Sequence, residues 1–171
     1  MRRYAEAGRV PPGYAGGMRP VTVSVNVPQD RETVYDFLDV MSRHESFTDH
    51  MLRDWTYAGP ASGVGAKATV SVRAGGRTET IEIEVVEAVR PARIVERNTG
   101  AGGRRVAYGT YELTELPDGG TRIAFSYAWS RVPPSERLAA PLVRSLLRRG
   151  NARALRRLAA LLPADGGRPA P

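Results

Sequence analysis

Cysteine is absent from the 171 residues, which removes disulfides, thiolate metal ligands and a cysteine nucleophile together. Histidine occurs only at His44 and His50, and lysine only at Lys67. Aromatic residues make up 7% of the chain. They fall in alternating segments rather than among the arginines, so a base-stacking platform for nucleic acid is not expected. No apolar run approaches the roughly 18–20 residues a helix needs to cross a bilayer. The opening Met-Arg-Arg-Tyr-Ala-Glu lacks the apolar stretch of a secretory signal, which points to a cytoplasmic protein. No Gly-Lys-Ser/Thr follows Gly63 and Gly65, so these glycines mark a turn and not a phosphate loop.

What remains is an ordinary globular composition, 42% hydrophobic and 25% charged. The length suits one domain with room for a core and a cavity. The net charge is +7 and almost entirely arginine, a balance that favours anionic partners. Residues 1–19 are rich in Gly, Pro and Arg and read as a flexible arm, with 163–171 as a matching tail. The domain proper is expected over 20–162.

Its elements come in an informative order. Val21, Val23, Val25 and Val27 alternate with polar residues, one face of a strand. Asp30 is placed to cap a short helix carrying Val34, Phe37, Leu38 and Met41. A second helical or irregular segment covers 42–51. Strands follow at 66–74, at 78–88, at 92–98 after an interruption at 89–91, at 105–116 and at 121–131. Pro117-Asp-Gly-Gly120 is a strong hairpin signal between the last two. Short turns between consecutive strands predict an antiparallel meander.

The chain then closes with an amphipathic segment at 141–162, with a short helix before it at 135–140. Plotted at 100° per residue, Val143, Leu147, Ala154, Leu158 and Leu161 share one side, with Arg148, Arg149, Arg153 and Arg156 roughly opposite. The leucine side is expected on the sheet and the arginine side in solvent. Contact of those arginines with an acidic membrane surface is the rival reading. The predicted class is α+β, a curved antiparallel sheet wrapped around a terminal helix.

Five segments resemble one family. Val23-Ser-Val-Asn-Val-Pro-Gln-Asp-Arg-Glu-Thr-Val-Tyr-Asp-Phe-Leu38 is similar to the opening of the SRPBCC (START/Bet v 1-like) superfamily. Gly63-Val-Gly-Ala66 and Glu84-Val-Val-Glu-Ala-Val-Arg-Pro-Ala-Arg-Ile94 resemble its strand entrance and its proline turn. Tyr111-Glu-Leu-Thr-Glu-Leu-Pro-Asp-Gly-Gly-Thr-Arg-Ile123 resembles its hairpin, and residues 153–162 its closing helix. The likeness covers about residues 20–162. It implies a helix-grip fold with a ligand cavity, of the polyketide cyclase/dehydrase-like kind. Members of that superfamily bind lipids, sterols, polyketides or plant metabolites, and some are cyclases or aromatases.

Inward strand positions and the helix's apolar face predict a mostly hydrophobic pocket with few polar groups. Its expected ligand-binding residues are Phe37, Met41, Phe47, Trp55, Ile83, Tyr111, Phe125, Tyr127, Trp129 and Leu147. Trp55 falls where a lid over the cavity mouth would be, and Tyr111 is placed to pair with Tyr127 and Trp129. For catalysis the candidates are His44, His50 and Arg97. Either histidine has a side chain suited to acid/base work near neutral pH, although two solvated surface histidines are the plainer expectation. Metal is not expected, since residues six apart on a helix point in different directions. Arg97 binds an oxygen anion only if its strand phase turns it inward. The ligand expected is a hydrophobic small molecule, with no cofactor and no nucleic acid. A carrier and a cyclase or dehydratase both fit these residues, and the oligomeric state is not encoded in any pattern found.

Overall fold

The computed structural model describes residues 18–74 and 76–163. The expected arm and tail therefore lie outside the described residues, apart from residues 18, 19 and 163. Met18 is buried against Trp129, and the Arg19 carbonyl accepts a bond from Arg144 Nε at 3.0 Å.

Strand β1 (Val21–Val27) leads to helix α1 (Arg31–Leu38). Asp30 caps that helix by accepting from the Thr33 amide at 2.8 Å. A 3-10 turn at Met41–Arg43 runs straight into α2 (His44–Thr48). The strands β2 (Arg53–Ala58), β3 (Lys67–Ala74), β4 (Arg77–Val89), β5 (Arg93–Gly100), β6 (Arg105–Glu115) and β7 (Thr121–Arg131) follow. Two helices end the described chain, α3 (Pro134–Leu138) and α4 (Ala140–Leu161). Pro141 sits in the first turn of α4, where its missing N–H costs no helical bond.

The sheet is seven-stranded and antiparallel throughout, in the order β1-β7-β6-β5-β4-β3-β2. Register shifts interrupt it at Arg53/Thr56, Val85/Glu87 and Val106/Ala107. Such bulges bend and twist a sheet locally, and here they help it curve around α4. The main core lies inside that curve, where Ile83, Val85, Ile94, Leu113 and Ile123 meet Ala154, Leu155 and Leu158 of α4. Arg148, Arg149, Arg153 and Arg156 are exposed, as the helical plot predicts, whereas Leu161 is 45% exposed and Leu155 takes the buried place.

Residues 53–58 form an edge strand rather than a lid. Only Trp55 is partly buried there, so no alternation marks the segment as a strand. Asp54 adopts φ 54° beside the bulge, which further breaks the period.

Candidate functional site

Between the sheet's concave face and α4 lies a cavity of about 780 Å³, within the range of small-molecule sites, roughly 300–1,000 Å³. Phe47, Trp55, Ile83, Tyr111, Phe125, Tyr127, Trp129 and Leu147 all line it. Phe37 and Met41 do not. Met41 is 2% exposed inside the core, and the Phe37 ring packs 6.4 Å from that of Phe47. The Phe37 ring thus backs Phe47, and neither Phe37 nor Met41 reaches the cavity.

The strand register sets the aromatic wall. Tyr127 faces Gly109 and Trp129 faces Ala107, while Tyr111 faces Phe125. Tyr127 and Trp129 therefore oppose small residues on the neighbouring strand, whereas Tyr111 and Phe125 oppose each other. The expected pairing of Tyr111 with Tyr127 and Trp129 gives way to a contact with Phe125, 4.7 Å between ring centroids. A Cβ on Gly109 would stand 3.1 Å from the Phe125 ring and 3.5 Å from Glu96 Oε2, so glycine makes room for both. Burial pushes the Tyr127 phenol up to about 12.

His44 is not a surface residue. It is 4% exposed, with Phe47 and Thr48 on the same buried side of α2. Its Nε2 lies 2.6 Å from the Leu38 carbonyl oxygen. A carbonyl only accepts, so Nε2 carries a proton and donates. Nδ1 faces Glu96 Oε1 at 3.1 Å, and Glu96 is itself 5% exposed. Burial alone would lower the imidazole pKa. The Glu96 carboxylate beside Nδ1 outweighs burial and holds the pKa above the usual 6.5, with help from the Leu38 carbonyl. The Tyr111 ring stands edge-on to His44, centroids 5.8 Å apart. His44, Glu96 and Tyr111 all line the cavity.

Glu96 escapes the sequence reading because both phases of β5 look alike. Ile94, Glu96 and Asn98 compete with Val95, Arg97 and Thr99. The structure turns Glu96 and Asn98 to the cavity and Arg97 outward, where it pairs with Glu84. Arg97 is therefore removed from the candidate site. The spacing of His44, Phe47 and Thr48, one helical face, is a signal that could have marked His44 as buried.

His50 also lines the cavity, but its ring is committed. Nε2 donates to the Gly150 carbonyl at 3.0 Å, and Nδ1 accepts from Arg157 at 3.4 Å. The ring thus ties the end of α2 to α4. Arg157 also pairs with Asp49.

A second polar group stands at the cavity wall. Arg105 pairs with Glu79 and reaches Glu136 Oε1 at 2.6 Å, joining β6 to β4 and to α3. A Cβ on Gly100 would meet Glu79 and Arg105 at 2.5 Å, so this brace depends on glycine there. Among the described residues no group of three or more acidic or histidine side chains is placed to hold a metal ion.

A curved antiparallel sheet gripping a long C-terminal helix defines the helix-grip class. The chain belongs to the family described as polyketide cyclase / dehydrase and lipid transport, whose profile matches residues 18–163. No curated protein sequence matches it. Among solved structures, Zhui aromatase/cyclase from a Streptomyces species superposes with a TM-score of 0.66 at 15% identity, covering 88% of this chain and 99% of that one. Major latex-like protein 151 from Panax ginseng gives 0.59 at 11% identity, covering 86% and 99%. Protein TTHA0849 from Thermus thermophilus gives 0.63 at 15% identity, covering 83% and 95%. At these identities the likeness is one of fold.

Proposed function

We propose that this protein binds a hydrophobic small molecule, lipid- or polyketide-like, inside its cavity. The observation that carries the reading is the cavity itself. It has an aromatic and aliphatic wall on two rigid elements, with a few polar groups converging on it. The family's description, which joins polyketide cyclisation with lipid transport, agrees with that chemistry.

The test is to reduce the volume without disturbing the core. Leu147 lines the cavity and is only half-buried, so Leu147→Trp is expected to fill space at modest cost. Uptake of the neutral fluorophore 1-aminoanthracene should fall about tenfold or more in the variant, with the unfolding midpoint little changed. Equal uptake by both proteins, or none by the parent, overturns the reading. Native mass spectrometry followed by organic extraction identifies whatever molecule accompanies the purified protein.

A second reading, a true cyclase or aromatase, rests on one observation: a buried histidine–carboxylate pair on the cavity wall. Such a pair is able to receive a proton from a bound ligand and return it elsewhere on the same molecule. Turnover of the extracted ligand, lost in Glu96→Gln with binding retained, would support it. A third reading, peripheral contact with an acidic membrane, rests on exposed Leu138, Leu142 and Leu146 near the exposed arginines of α4. It predicts vesicle binding that collapses with added salt, and a cavity whose ligand is irrelevant to that binding.

A further inference from the structure

The 22 residues of α4 include six arginines and no acidic residue. Arg157 pairs with Asp49, and Arg144 donates to the Arg19 carbonyl. Arg148, Arg149, Arg153 and Arg156 are exposed and form no ion pair with a described residue. Like charges a turn apart on a helix repel, and an anionic surface laid along them relieves that repulsion.

The outward line of the helix is not uniform. Plotted at 100° per residue, Leu142, Leu146, Arg149, Arg153 and Arg156 fall within about 40° of one line, which runs about 21 Å along the axis. Leu142 is 62% exposed and Leu146 57%, and Leu138 at the end of α3, four residues earlier, is 89% exposed. The row is apolar at its start and basic beyond. Single exposed leucines are ordinary on a protein surface, whereas a contiguous row marks an interaction face.

This row borders the mouth of the cavity. Leu146 lines the cavity and is exposed, so it stands where the cavity meets solvent. On the opposite wall, Arg53 of β2 and Arg73 of β3 also line the cavity and are exposed, and neither forms an ion pair with a described residue. Unpaired arginines thus stand on both sides of the mouth, with leucines at its edge. A partner that meets all of them is broad, anionic at its surface and apolar just beneath. A bilayer with anionic headgroups has that profile, and arginine suits phosphate oxygens through its paired donors.

Resting on the cavity reading above, we infer that this face docks on an anionic bilayer and that the cavity exchanges its ligand through the docked mouth. The three leucines enter the acyl boundary, and the arginines on both sides meet lipid phosphates. Leu146 belongs both to the docking row and to the cavity lining, so an apolar ligand passes from one to the other without crossing water. Membrane contact unrelated to the cavity would leave ligand exchange indifferent to the bilayer.

Two measurements on the full chain test this. In flotation with phosphatidylcholine vesicles, binding is expected only when phosphatidylglycerol is included, and is expected to collapse in high salt. Arg149→Gln combined with Arg153→Gln should weaken it about twentyfold, each arginine near the headgroups contributing about fivefold. Leu138→Ser combined with Leu142→Ser touches neither the core nor the cavity lining, and should weaken it about tenfold or more. Stopped-flow transfer of 1-aminoanthracene to vesicles carrying a quencher then reads the coupling. Transfer through a docked mouth speeds up as anionic vesicles are added, whereas transfer through water keeps one dissociation rate at every vesicle concentration. The parent is expected to follow the first course and the double-serine protein the second, with equal uptake of 1-aminoanthracene and an equal unfolding midpoint.

No vesicle binding at low salt overturns the docking, leaves the face to an acidic protein surface and spares the cavity reading. Vesicle binding with a transfer rate indifferent to vesicle concentration also overturns the inference, since docking then does not serve the cavity. If the parent takes up no 1-aminoanthracene, the cavity reading falls first and the exchange route falls with it.

Discussion

Glu96 and His44 share a buried space that neither would occupy alone, because an unpaired charge there is strongly disfavoured. The pair makes folding stability depend on pH with a definite sign. The imidazole pKa is raised above its unfolded 6.5, so the pair's contribution is fully present below about pH 6.5. It is lost as pH rises through the folded value. In Glu96→Gln, burial acts on His44 without the carboxylate, and the imidazole pKa falls. The difference in unfolding midpoint between parent and variant is therefore expected to be largest near pH 6 and to shrink toward pH 9. A difference that grew with pH would contradict the charged pair. Trp129 behaves differently. It is fully buried among Met18, Val21, Ala107 and Val132, so Trp129→Ala should cost roughly 3–5 kcal/mol of stability in chemical denaturation. Weaker ligand binding is expected too, but the structural loss is larger than its cavity position suggests. These two residues mark what the sequence could and could not reveal. Trp129 is legible from the alternation of β7. Glu96 is not, because either phase of β5 places plausible residues inward, and only pairing with β4 and β6 decides between them.

Whole elements were legible in proportion to how one-sided their surroundings are. The strands β3, β4, β6 and β7 bury one face and show alternation. The helix α4 buries one stripe and shows helical spacing. The edge strand β2 presents nearly all its residues to water, so it carries no periodic signal. Its Trp55 still reaches the cavity, through geometry that no local pattern encodes. Element boundaries carry their own predictions. Removing the cap of α1 by Asp30→Ala should cost about 1 kcal/mol, and Asp30→Asn much less, measured by denaturant unfolding. Within α4, Gly150 would be expected to weaken the helix. A Cβ there, however, would overlap Met51 Sδ, which packs against the helix at that point. Gly150→Ala alone should therefore forfeit the roughly 1 kcal/mol that alanine offers in a helix. The gain should appear in a Met51→Ala background. A double-mutant cycle that found the two changes additive would show that the contact is not what selects glycine.

For the molecule as a whole, the cavity is a product of closure. No single element forms it: the sheet supplies one wall, α4 another, and the Arg105 brace connects α3 to the strands. The brace is only slightly exposed, so breaking one side leaves a charge poorly paired. Glu136→Gln is accordingly expected to destabilise the fold, and to speed release of 1-aminoanthracene in stopped-flow displacement more than it lowers affinity at equilibrium. The closing contact of the sheet is the pairing of β1 with β7, where Thr22 bonds to Ser126 across 104 positions of sequence at 2.9 Å. Bringing such distant partners together is slow, with times on the order of milliseconds to seconds for β-rich folds. On the ribosome, β1 emerges early and must wait for β7, and α4 is made later still. Throughout that interval the valines of β1 lack the surface they will cover. The cavity does not exist until α4 arrives, so on the proposed function a ligand enters after synthesis and cannot guide its early steps.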